Sequence, residues 1–324
     1  MPLRLVMMGT GTFAVPTFQA LLDSPHNVVG LFTQPDRVGR GHHHHPHPMK
    51  ELAVARQVPV FQPDNVNLPE PIESLKALQA DLAVVAAYGQ ILSAELLATP
   101  RLGAINLHAS LLPKYRGAAP VQYAVWKGEP ETGITLFQIE PKLDAGPVLG
   151  VVRTPIGPEE TSGTLEDRLA ELAVPLTLKV LDDLERGCAV PLPQNPGEVT
   201  RARKLKKTDG EIPWAKRSEE IDWHIRAMQP WPMPYTWWHA SEHPPVRLQI
   251  LSIGKSATSN EPPLGALNPP GTIVHVDEHS VLVQTGDGRV ALKSVRPDGK
   301  RAMEIGEFLR GHRMKAGDHL GPEH

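Results

Sequence analysis

The sequence contains a single cysteine, Cys188, among 324 residues. An intrachain disulfide is therefore impossible, and a zinc site built on several thiolates is excluded. No apolar run approaches the ~20 residues that a membrane-spanning helix requires. The formal net charge is only -3, so the chain is not a polycation as a whole. We therefore expect a cytoplasmic protein with no membrane contact, in which any binding of nucleic acid depends on a local basic surface.

Short apolar runs alternate with helical patterns through the first half of the chain. The Val, Leu, Ile and Ala content of these runs is typical of strands that are buried on both faces. Strand–helix–strand alternation at this spacing predicts a doubly wound, mostly parallel α/β sheet of the Rossmann-like type, with right-handed crossovers. The predicted strands are residues 3–8, 27–33, 58–61, 81–86, 104–107 and 135–139, and the predicted helices are residues 12–22, 49–56, 71–77, 118–127 and 164–186.

The second half of the chain has a different pattern. Residues 188–200 contain three prolines and a glycine without periodicity, which is typical of a semi-rigid linker. Five of the next seven residues, 201–207, are basic. Beyond a predicted helix at 218–228, short β-branched runs separated by Gly and Pro predict a small, OB-like β-barrel. The predicted division is a catalytic domain over residues 1–189, a basic linker over 190–207 and a C-terminal barrel domain over 208–324.

The segment 103–120 carries the most informative polar residues. It begins as a predicted strand, and period-two alternation places Asn106 and His108 on one face near the carboxyl end. In open α/β sheets, ligands bind at that edge. A carboxylate, Asp144, follows in a predicted tight turn after the next strand. An amide, an imidazole and a carboxylate at one edge suit acyl transfer to an amine, because the oxyanion needs donors and the amine must lose a proton.

The sequence offers no sign of an activated nucleophile. It lacks G-x-S-x-G, and Cys188 lies at the start of the predicted linker. Direct transfer without a covalent enzyme intermediate is therefore the simpler scheme. The alternative at this point is that Asn106 and His108 only cap the end of a strand.

Two other patterns suggest different functions. Gly9, Gly11 and Ala14 match a dinucleotide-binding fingerprint with Asp36 as the acidic partner, although a tight strand-to-helix turn also explains the glycines and is the reading we favour. Five histidines lie between residues 42 and 47, and such a run can capture Zn²⁺ or Ni²⁺. We favour adventitious metal affinity for it and expect that no metal is required.

The polar strand and the later turn resemble the two signatures of folate-dependent formyltransferases. The first is Ile105-Asn-Leu-His108 with Ser110-Leu-Leu-Pro113 and Arg116-Gly-Ala-Ala-Pro120, and the second is Leu143-Asp-Ala-Gly146. Collinear motifs over residues 3–313 resemble the branch of this family that acts on methionyl-tRNA. They are Phe32-Thr-Gln-Pro-Asp36, Gly39-Arg-Gly41, residues 84–92, Thr161-Ser-Gly-Thr164, Lys206-Lys-Thr-Asp-Gly210, Ile221-Asp-Trp223, Ile225-Arg-Ala227 and Pro230-Trp-Pro232. The departures are Lys142, Pro213, Gly11 and the histidine run, which stands where lysines are typical.

The resemblance implies transfer of the formyl group of 10-formyltetrahydrofolate to the α-amino group of methionine on initiator tRNA, in translation initiation. It implies that Asn106 and a protonated His108 stabilise the oxyanion and that Asp144 orients the imidazole, with Asp144 also a candidate to remove the amine proton through a water. The folate-binding residues that it implies are Ser110, Leu111, Leu112, Pro113, Tyr88 and Leu92, although Tyr88 and Leu92 could equally be plain core residues. The tRNA-binding residues expected with it are Arg37, Arg40, Lys114, Arg116, Arg201, Arg203, Lys204, Lys206 and Lys207.

We expect a monomer whose partners are the folate co-substrate and initiator Met-tRNA. Three alternatives stay open on the sequence. One is a formyltransferase for a small amine, such as a ribonucleotide or sugar nucleotide. Another is a nucleotide-dependent oxidoreductase, which rests only on the glycine pattern at residues 9–14. The third is an RNA-binding module on an inactive scaffold.

Overall fold

The structure, a computed structural model, describes residues 1–36, 47–240, 243–255 and 268–323. Clustering of contacts divides the chain into two compact units. The first unit consists of Met1–Pro120, Glu131–Pro155 and Thr164–Arg203, and the second consists of Val121–Pro130, Ile156–Gly163 and Lys204–His324. Two short segments from the first half of the chain thus belong to the second unit. The division predicted at residues 189 and 207 stays a prediction.

The elements between residues 1 and 203 follow the predicted alternation of strands and helices. In chain order they are β1 (Arg4–Gly9), a 3-10 turn (Thr12–Ala14), α1 (Val15–Asp23), β2 (Asn27–Phe32), α2 (Pro48–Ala55), β3 (Val60–Phe61), α3 (Pro69–Ala77), β4 (Leu82–Ala86), α4 (Ala94–Leu97), β5 (Ala104–His108), β6 (Arg116–Gly117), α5 (Pro120–Trp126), β7 (Glu131–Gln138), β8 (Val148–Pro155), α6 (Ser162–Glu185), a 3-10 turn (Pro196–Glu198) and β9 (Arg201–Ala202).

Seven strands of the first unit form one sheet in the order β3-β2-β1-β4-β5-β7-β8. The first five of them pair in parallel, whereas β7 pairs antiparallel with β5 on one side and with β8 on the other. Every residue of β4 is buried, as expected for a parallel strand covered on both faces. The chain winds outward from β1 in both directions, so the switch point lies between β1 and β4. The predicted doubly wound, mostly parallel sheet is confirmed.

A hydrophobic cluster fixes one face of this sheet. Val6, Met8 and Phe32 pack in it with Ile72 and Leu75 of α3. All five side chains are at most 2% exposed, and each fully buried side chain of this size stabilises the fold by roughly 1.5–3 kcal/mol. The strands are therefore firmly held, and their carboxyl ends can present polar side chains at fixed positions.

No helix in the described ranges has both the length and the apolar content needed to span a bilayer.

The second unit contains an antiparallel barrel. Its strands form one sheet in the order β12 (Ile273–Val276), β13 (Val281–Gln284), β14 (Arg289–Pro297), β11 (His243–Lys255), β10 (Tyr235–Ala240) and β16 (His319–Gly321). A bridge between Thr272 and His319 links the two ends of that order. The predicted small β-barrel is thus confirmed, and its core includes Trp238 and Phe308. The elements from residue 207 onward are a 3-10 turn (Lys207–Gly210), α7 (Ser218–Ala227), β10 (Tyr235–Ala240), β11 (His243–Lys255), β12 (Ile273–Val276), β13 (Val281–Gln284), β14 (Arg289–Pro297), β15 (Met303–Glu304), α8 (Ile305–Gly311) and β16 (His319–Gly321).

A buried histidine gives the second unit a pH-dependent stability. His224 on α7 is 2% exposed and meets the ring of Trp126 edge-on. Burial lowers the pKa of His224 to about 4. An unfolded histidine has a pKa of ~6.5, so as the pH falls the unfolded chain takes up the proton first. The stabilisation is therefore complete above pH ~6.5 and is lost between pH ~6.5 and pH ~4, by up to about 3 kcal/mol.

We expect His224→Leu to flatten the fall in unfolding free energy between pH 7 and pH 5, because no proton uptake by this ring then favours the unfolded chain. Urea unfolding at the two pH values measures the difference. His279→Leu, which removes an exposed histidine of the same unit, is the control and should keep the wild-type fall. If the unfolding free energy of His224→Leu falls between the two pH values as much as that of the wild type, the His224 ring is not the source of the pH dependence.

Candidate active site

Asn106 and His108 lie on β5 at the carboxyl edge of the parallel part of the sheet. They share one face because successive side chains of a strand alternate. Asn106 pairs with Val85 of β4 on one side and with Phe137 of β7 on the other. Its side chain is half-buried, and among the described residues no hydrogen bond engages its amide. One donor and acceptor group therefore remains available at this edge.

The imidazole of His108 is held in one orientation. It is 5% exposed, and its Nε2 donates a hydrogen bond to the carbonyl oxygen of Tyr115 at 2.9 Å. In the neutral ring the proton therefore lies on Nε2, and Nδ1 carries a free electron pair. Nδ1 faces the Oδ2 atom of Asp144 at 4.0 Å.

The environment of His108 favours its neutral form. Burial lowers its pKa, the charge of Asp144 and the hydrogen bond to Tyr115 oppose this, and Arg116 adds to the lowering. The protonated ring expected from the sequence is therefore disfavoured around pH 7. The ring starts as a proton acceptor at Nδ1.

Asp144 is placed by an unusual backbone conformation. It has φ +47°, in the left-handed region, which costs an ordinary residue about 1–2 kcal/mol. Its Oδ2 accepts a hydrogen bond from the backbone N–H of Gly117 at 2.7 Å, and its side chain is 12% exposed. The carboxylate thus sits at the end of a hydrogen bond that orients it toward His108. The structure brings Asn106, His108 and Asp144 together at the edge where the sequence predicts a site.

A functional neighbour of this group was missed at the sequence level. The side chain of Gln194 donates hydrogen bonds to the carbonyl oxygens of Asp144 and Gly146 at 2.9 and 2.8 Å. It lies in the proline-containing segment that reads as a linker. No periodicity or motif marks it, because its role depends on contacts with residues about 50 positions earlier in the chain.

The residues predicted to bind folate divide into two groups. Ser110 is fully buried and donates from Oγ to the carbonyl oxygen of Lys114 at 2.7 Å, while Leu111 and Leu112 are half-buried. Tyr88 and Leu92 are 2% and 7% exposed and belong to the hydrophobic cluster of the sheet. Burial raises the pKa of Tyr88 to about 12. Pro113 is buried as well. Only the two leucines of the Ser110–Pro113 segment thus offer partly accessible apolar surface.

The predicted tRNA-binding residues differ in accessibility. The exposed ones are Lys114, Arg201, Arg203, Lys204, Lys206 and Lys207. Arg116 is only 8% exposed, and its guanidinium donates to Oε1 of Gln194 at 2.6 and 3.2 Å. This placement does not fit a contact with a phosphate backbone, because the cation is buried and engaged inside the unit. Arg37 and Arg40 lie outside the described residues.

The glycine pattern at residues 9–14 with Asp36, and the histidine run at residues 42–47, have structural explanations at the positions that the structure describes. A Cβ atom at Gly9 would lie 2.9 Å from the side chain of Ala14, so the turn after β1 needs a glycine there for close packing. Asp36 pairs with Lys50 and accepts a hydrogen bond from Gln62 at 2.9 Å. His47 caps α2 by accepting from the N–H of Lys50, and histidines 42–45 lie outside the described residues.

One cluster of metal-ligating residue types lies in the first unit. Ligand atoms of His26, Asp182 and Glu185 lie within 4.8 Å of one another. Nδ1 of His26 accepts a hydrogen bond from the N–H of Leu3 at 3.2 Å, so the ring proton lies on Nε2. A metal bound at Nε2 would have to displace this proton. Glu185 also pairs with the N-terminal ammonium group at 2.8 Å, which makes the cluster a charge network.

Comparison with known proteins identifies relatives over the whole chain. A family described as Formyl transferase matches residues 3–181, and one described as Formyl transferase, C-terminal domain, matches residues 204–313. A methionyl-tRNA formyltransferase from Hydrogenovibrio crunogenus is 37% identical over 321 residues, which are 99% of this chain and 99% of the relative.

Two solved structures have a similar fold. The sugar 3N-formyl transferase WlaRD, crystallised in the presence of dTDP and 5-N-formyl-THF, has a TM-score of 0.65 and 16% identity, covering 93% of this chain and 100% of WlaRD. HypX from Aquifex aeolicus in complex with tetrahydrofolic acid has a TM-score of 0.61 and 16% identity, covering 98% of this chain. The match spans 51% of HypX, about half its length. At these identities the two structures show the fold alone.

Proposed function

Because the chain belongs to the formyltransferase family, we propose that it transfers the formyl group of 10-formyltetrahydrofolate to the α-amino group of methionine on initiator tRNA. The observation that carries this is the 37% identity with a methionyl-tRNA formyltransferase over 99% of both chains. Both family domains are present in the same order. The resemblance noted in the sequence is thereby confirmed, and the protein is a formyltransferase that acts on methionyl-tRNA.

The proposed reaction is direct attack of the free amine on the formyl carbon, through a tetrahedral intermediate. The amide of Asn106 is unengaged within the described residues, so its N–H can donate to the formyl oxygen as negative charge develops there. No side chain of the described site is an activated nucleophile, which supports transfer without a covalent enzyme intermediate.

His108 and Asp144 handle the proton that the attacking amine loses. Nδ1 of His108 is the free acceptor, because Nε2 donates to Tyr115. In our proposal Nδ1 takes up this proton, directly or through one water, and the resulting imidazolium then faces the oxyanion. Asp144, 4.0 Å away, stabilises the imidazolium by its charge. The protonated His108 expected from the sequence is thus a state reached during the reaction.

The folate co-substrate is proposed to bind beside this group. Leu111 and Leu112 would supply apolar contacts with the pterin, and Ser110 and Pro113 would hold the wall behind them. Tyr88 and Leu92 would support the site from the hydrophobic cluster, and residues 85–92 and 139–144 would flank the pterin. We propose that the enzyme acts as a cytoplasmic monomer, with catalysis in residues 1–189 and tRNA contacts from the basic linker and the barrel domain. The reaction as proposed uses no metal.

Phosphate contacts from exposed lysines make tRNA binding depend on salt. Lys206 and Lys207 are both exposed. Replacing both with Ala is expected to raise the KM for tRNA and to reduce the slope of log KM against log salt by about 1–2, because up to two phosphate contacts are lost. Initial rates at several salt concentrations measure this. The charge-matched control is Lys216→Ala with Lys300→Ala. If replacing Lys206 and Lys207 leaves the salt slope unchanged, these two lysines do not contact the tRNA.

The function itself is tested by formylation assays with labelled 10-formyltetrahydrofolate. Initiator Met-tRNA, an amino sugar nucleotide and an amino ribonucleotide are supplied as acceptors in parallel. We expect turnover with Met-tRNA only. Faster turnover with a small amine would replace the proposed acceptor, and no turnover with any acceptor would leave a binding protein on an inactive scaffold. A change in NAD(P)H fluorescence on mixing would support the oxidoreductase alternative instead.

A further inference from the structure

The segment after α6 contacts both loops that hold the site. We name residues 194–202 the strap. Resting on the function proposed above, we propose that Gln194 and Thr200 of the strap are positioning residues for formyl transfer. They hold the backbone next to Asp144 and His108, and thereby set the separation of the carboxylate and the imidazole.

Gln194 fastens the loop that carries Asp144. Its amide group donates one hydrogen bond to the carbonyl oxygen of Asp144 at 2.9 Å and another to that of Gly146 at 2.8 Å. Its Oε1 accepts from the guanidinium of Arg116 at 2.6 Å. Oε1 also accepts from Nε of Arg116 at 3.2 Å, so both N–H groups and both lone pairs of this amide are used within the site. Since Asp144 has a left-handed backbone conformation, its carbonyl needs a partner that keeps the loop in this form.

Thr200 fastens the loop that orients His108. Its Oγ1 accepts a hydrogen bond from the backbone N–H of Tyr115 at 2.8 Å. Tyr115 also has a left-handed conformation, with φ +61°, and its carbonyl oxygen is the acceptor for Nε2 of His108. The hydroxyl of Thr200 and the imidazole of His108 therefore hydrogen-bond to the same residue, Tyr115, at its N–H and its carbonyl oxygen. Loss of this hydroxyl would leave the Tyr115 N–H without this acceptor and loosen the residue whose carbonyl oxygen fixes the ring.

A short parallel ladder joins the strap to the same loop. Arg116 and Gly117 of β6 pair with Arg201 and Ala202 of β9. The N–H of Gly117 in this ladder is the donor to the Asp144 carboxylate. A Cβ atom at Gly117 would lie 2.4 Å from the carbonyl oxygen of Ala202, so the backbones of β6 and β9 are in direct contact there. The strap thus holds the backbone next to His108 and next to Asp144 at once.

The two loops that the strap contacts set the distance between the imidazole of His108 and the carboxylate of Asp144. Nδ1 of His108 and Oδ2 of Asp144 are 4.0 Å apart, and this separation depends on two loops that do not belong to one regular element. A misplacement of about 1 Å at a catalytic group can lower a rate by about 100-fold. Gln194 and Thr200 act on the chemical step, so replacing either of them should lower kcat while the KM for tRNA is unchanged.

The test uses the full-length protein in the Met-tRNA formylation assay. Gln194→Met removes the amide while keeping the length of the side chain, and we expect kcat to fall by about 10- to 100-fold with the KM for tRNA within about twofold of the wild type. Asn195→Ala is the matched control, because among the described residues the Asn195 amide bonds only to Gly197 and Glu198 of the strap itself. This control should keep the wild-type kcat.

A second pair of variants covers the case in which Gln194→Met folds poorly. Thr200→Val keeps the shape of the side chain without its hydroxyl and should lower kcat, while Thr200→Ser restores the hydroxyl and should recover most of the rate. Thermal unfolding of each variant verifies that the folded protein is compared. A normal kcat in folded Gln194→Met and folded Thr200→Val would overturn the proposal.

A double variant separates positioning from a general structural role. In Asp144→Asn the carboxylate that Gln194 positions is already absent, so adding Gln194→Met should lower kcat by less than about threefold more. Fully multiplicative losses would instead show that Gln194 supports the fold alone and would overturn the proposal. If the wild type itself does not formylate Met-tRNA, the proposed function fails, and that outcome is distinct from a normal kcat in the strap variants.

Discussion

Replacing Asn106 with Ala is expected to lower kcat for formyl transfer by at least ~100-fold without lowering the melting temperature of the protein by more than a few degrees. The Asn106 amide makes no hydrogen bond to another described residue, so its removal leaves no protein group unpaired. What is lost is a donor to the oxygen on which negative charge develops. Steady-state formylation at saturating folate and Met-tRNA, together with thermal unfolding, measures both effects.

Asn106→Asp is the informative companion variant. It keeps the size and shape of the side chain but replaces the amide donor with a carboxylate oxygen, which repels a developing oxyanion. We expect kcat to fall at least as far as in Asn106→Ala. A folded Asn106→Ala protein with kcat within tenfold of the wild type would remove this amide from the mechanism and leave it as a strand-end residue.

Replacing Asp144 with Asn is expected to lower kcat by about 100-fold or more and to change its pH dependence. The Asp144 carboxylate raises the pKa of His108 against the larger opposing effect of burial. Removing its charge lowers the pKa of His108 further, so the neutral ring persists to lower pH. The acid limb of the kcat–pH profile, which reports protonation of this ring, should therefore move to lower pH.

The control for Asp144→Asn is Asp64→Asn, which removes an exposed carboxylate of the same unit. Its kcat and its acid limb should match those of the wild type. An acid limb that stays in place in Asp144→Asn would contradict the electrostatic coupling of Asp144 with His108. A limb that moves to higher pH would contradict the sign derived from burial and charge.

The sheet and the central pair of the site were predictable because local patterns report them. A strand such as β4, buried on both faces, reads as an unbroken apolar run. Asn106 and His108 interrupt such a run with period two, so their shared face followed from strand geometry alone. The confirmed barrel was predictable in kind, because short β-branched runs separated by Gly and Pro are typical of such a domain.

Features that depend on long-range contact could not be predicted. Arg116 looked like a surface cation, but Gln194, 78 residues away, engages its guanidinium. For Tyr88 and Leu92 the sequence left open a ligand wall or the core, and the structure buries them in the cluster with Phe32. The neutral state of His108 follows from burial, which a lone sequence does not report. The strap reads as a linker because prolines are common both in linkers and in ordered extended segments.

The central claim is that the formyl group is held at the carboxyl edge of β5, and a crystal structure with a stable formyl-folate analogue tests it most directly. The account predicts that the formyl oxygen lies within hydrogen-bonding distance of the Asn106 amide, with Nδ1 of His108 and the Asp144 carboxylate beside the formyl carbon. An analogue whose formyl group lies away from β5, with Asn106 and His108 making no contact to it, would contradict the account.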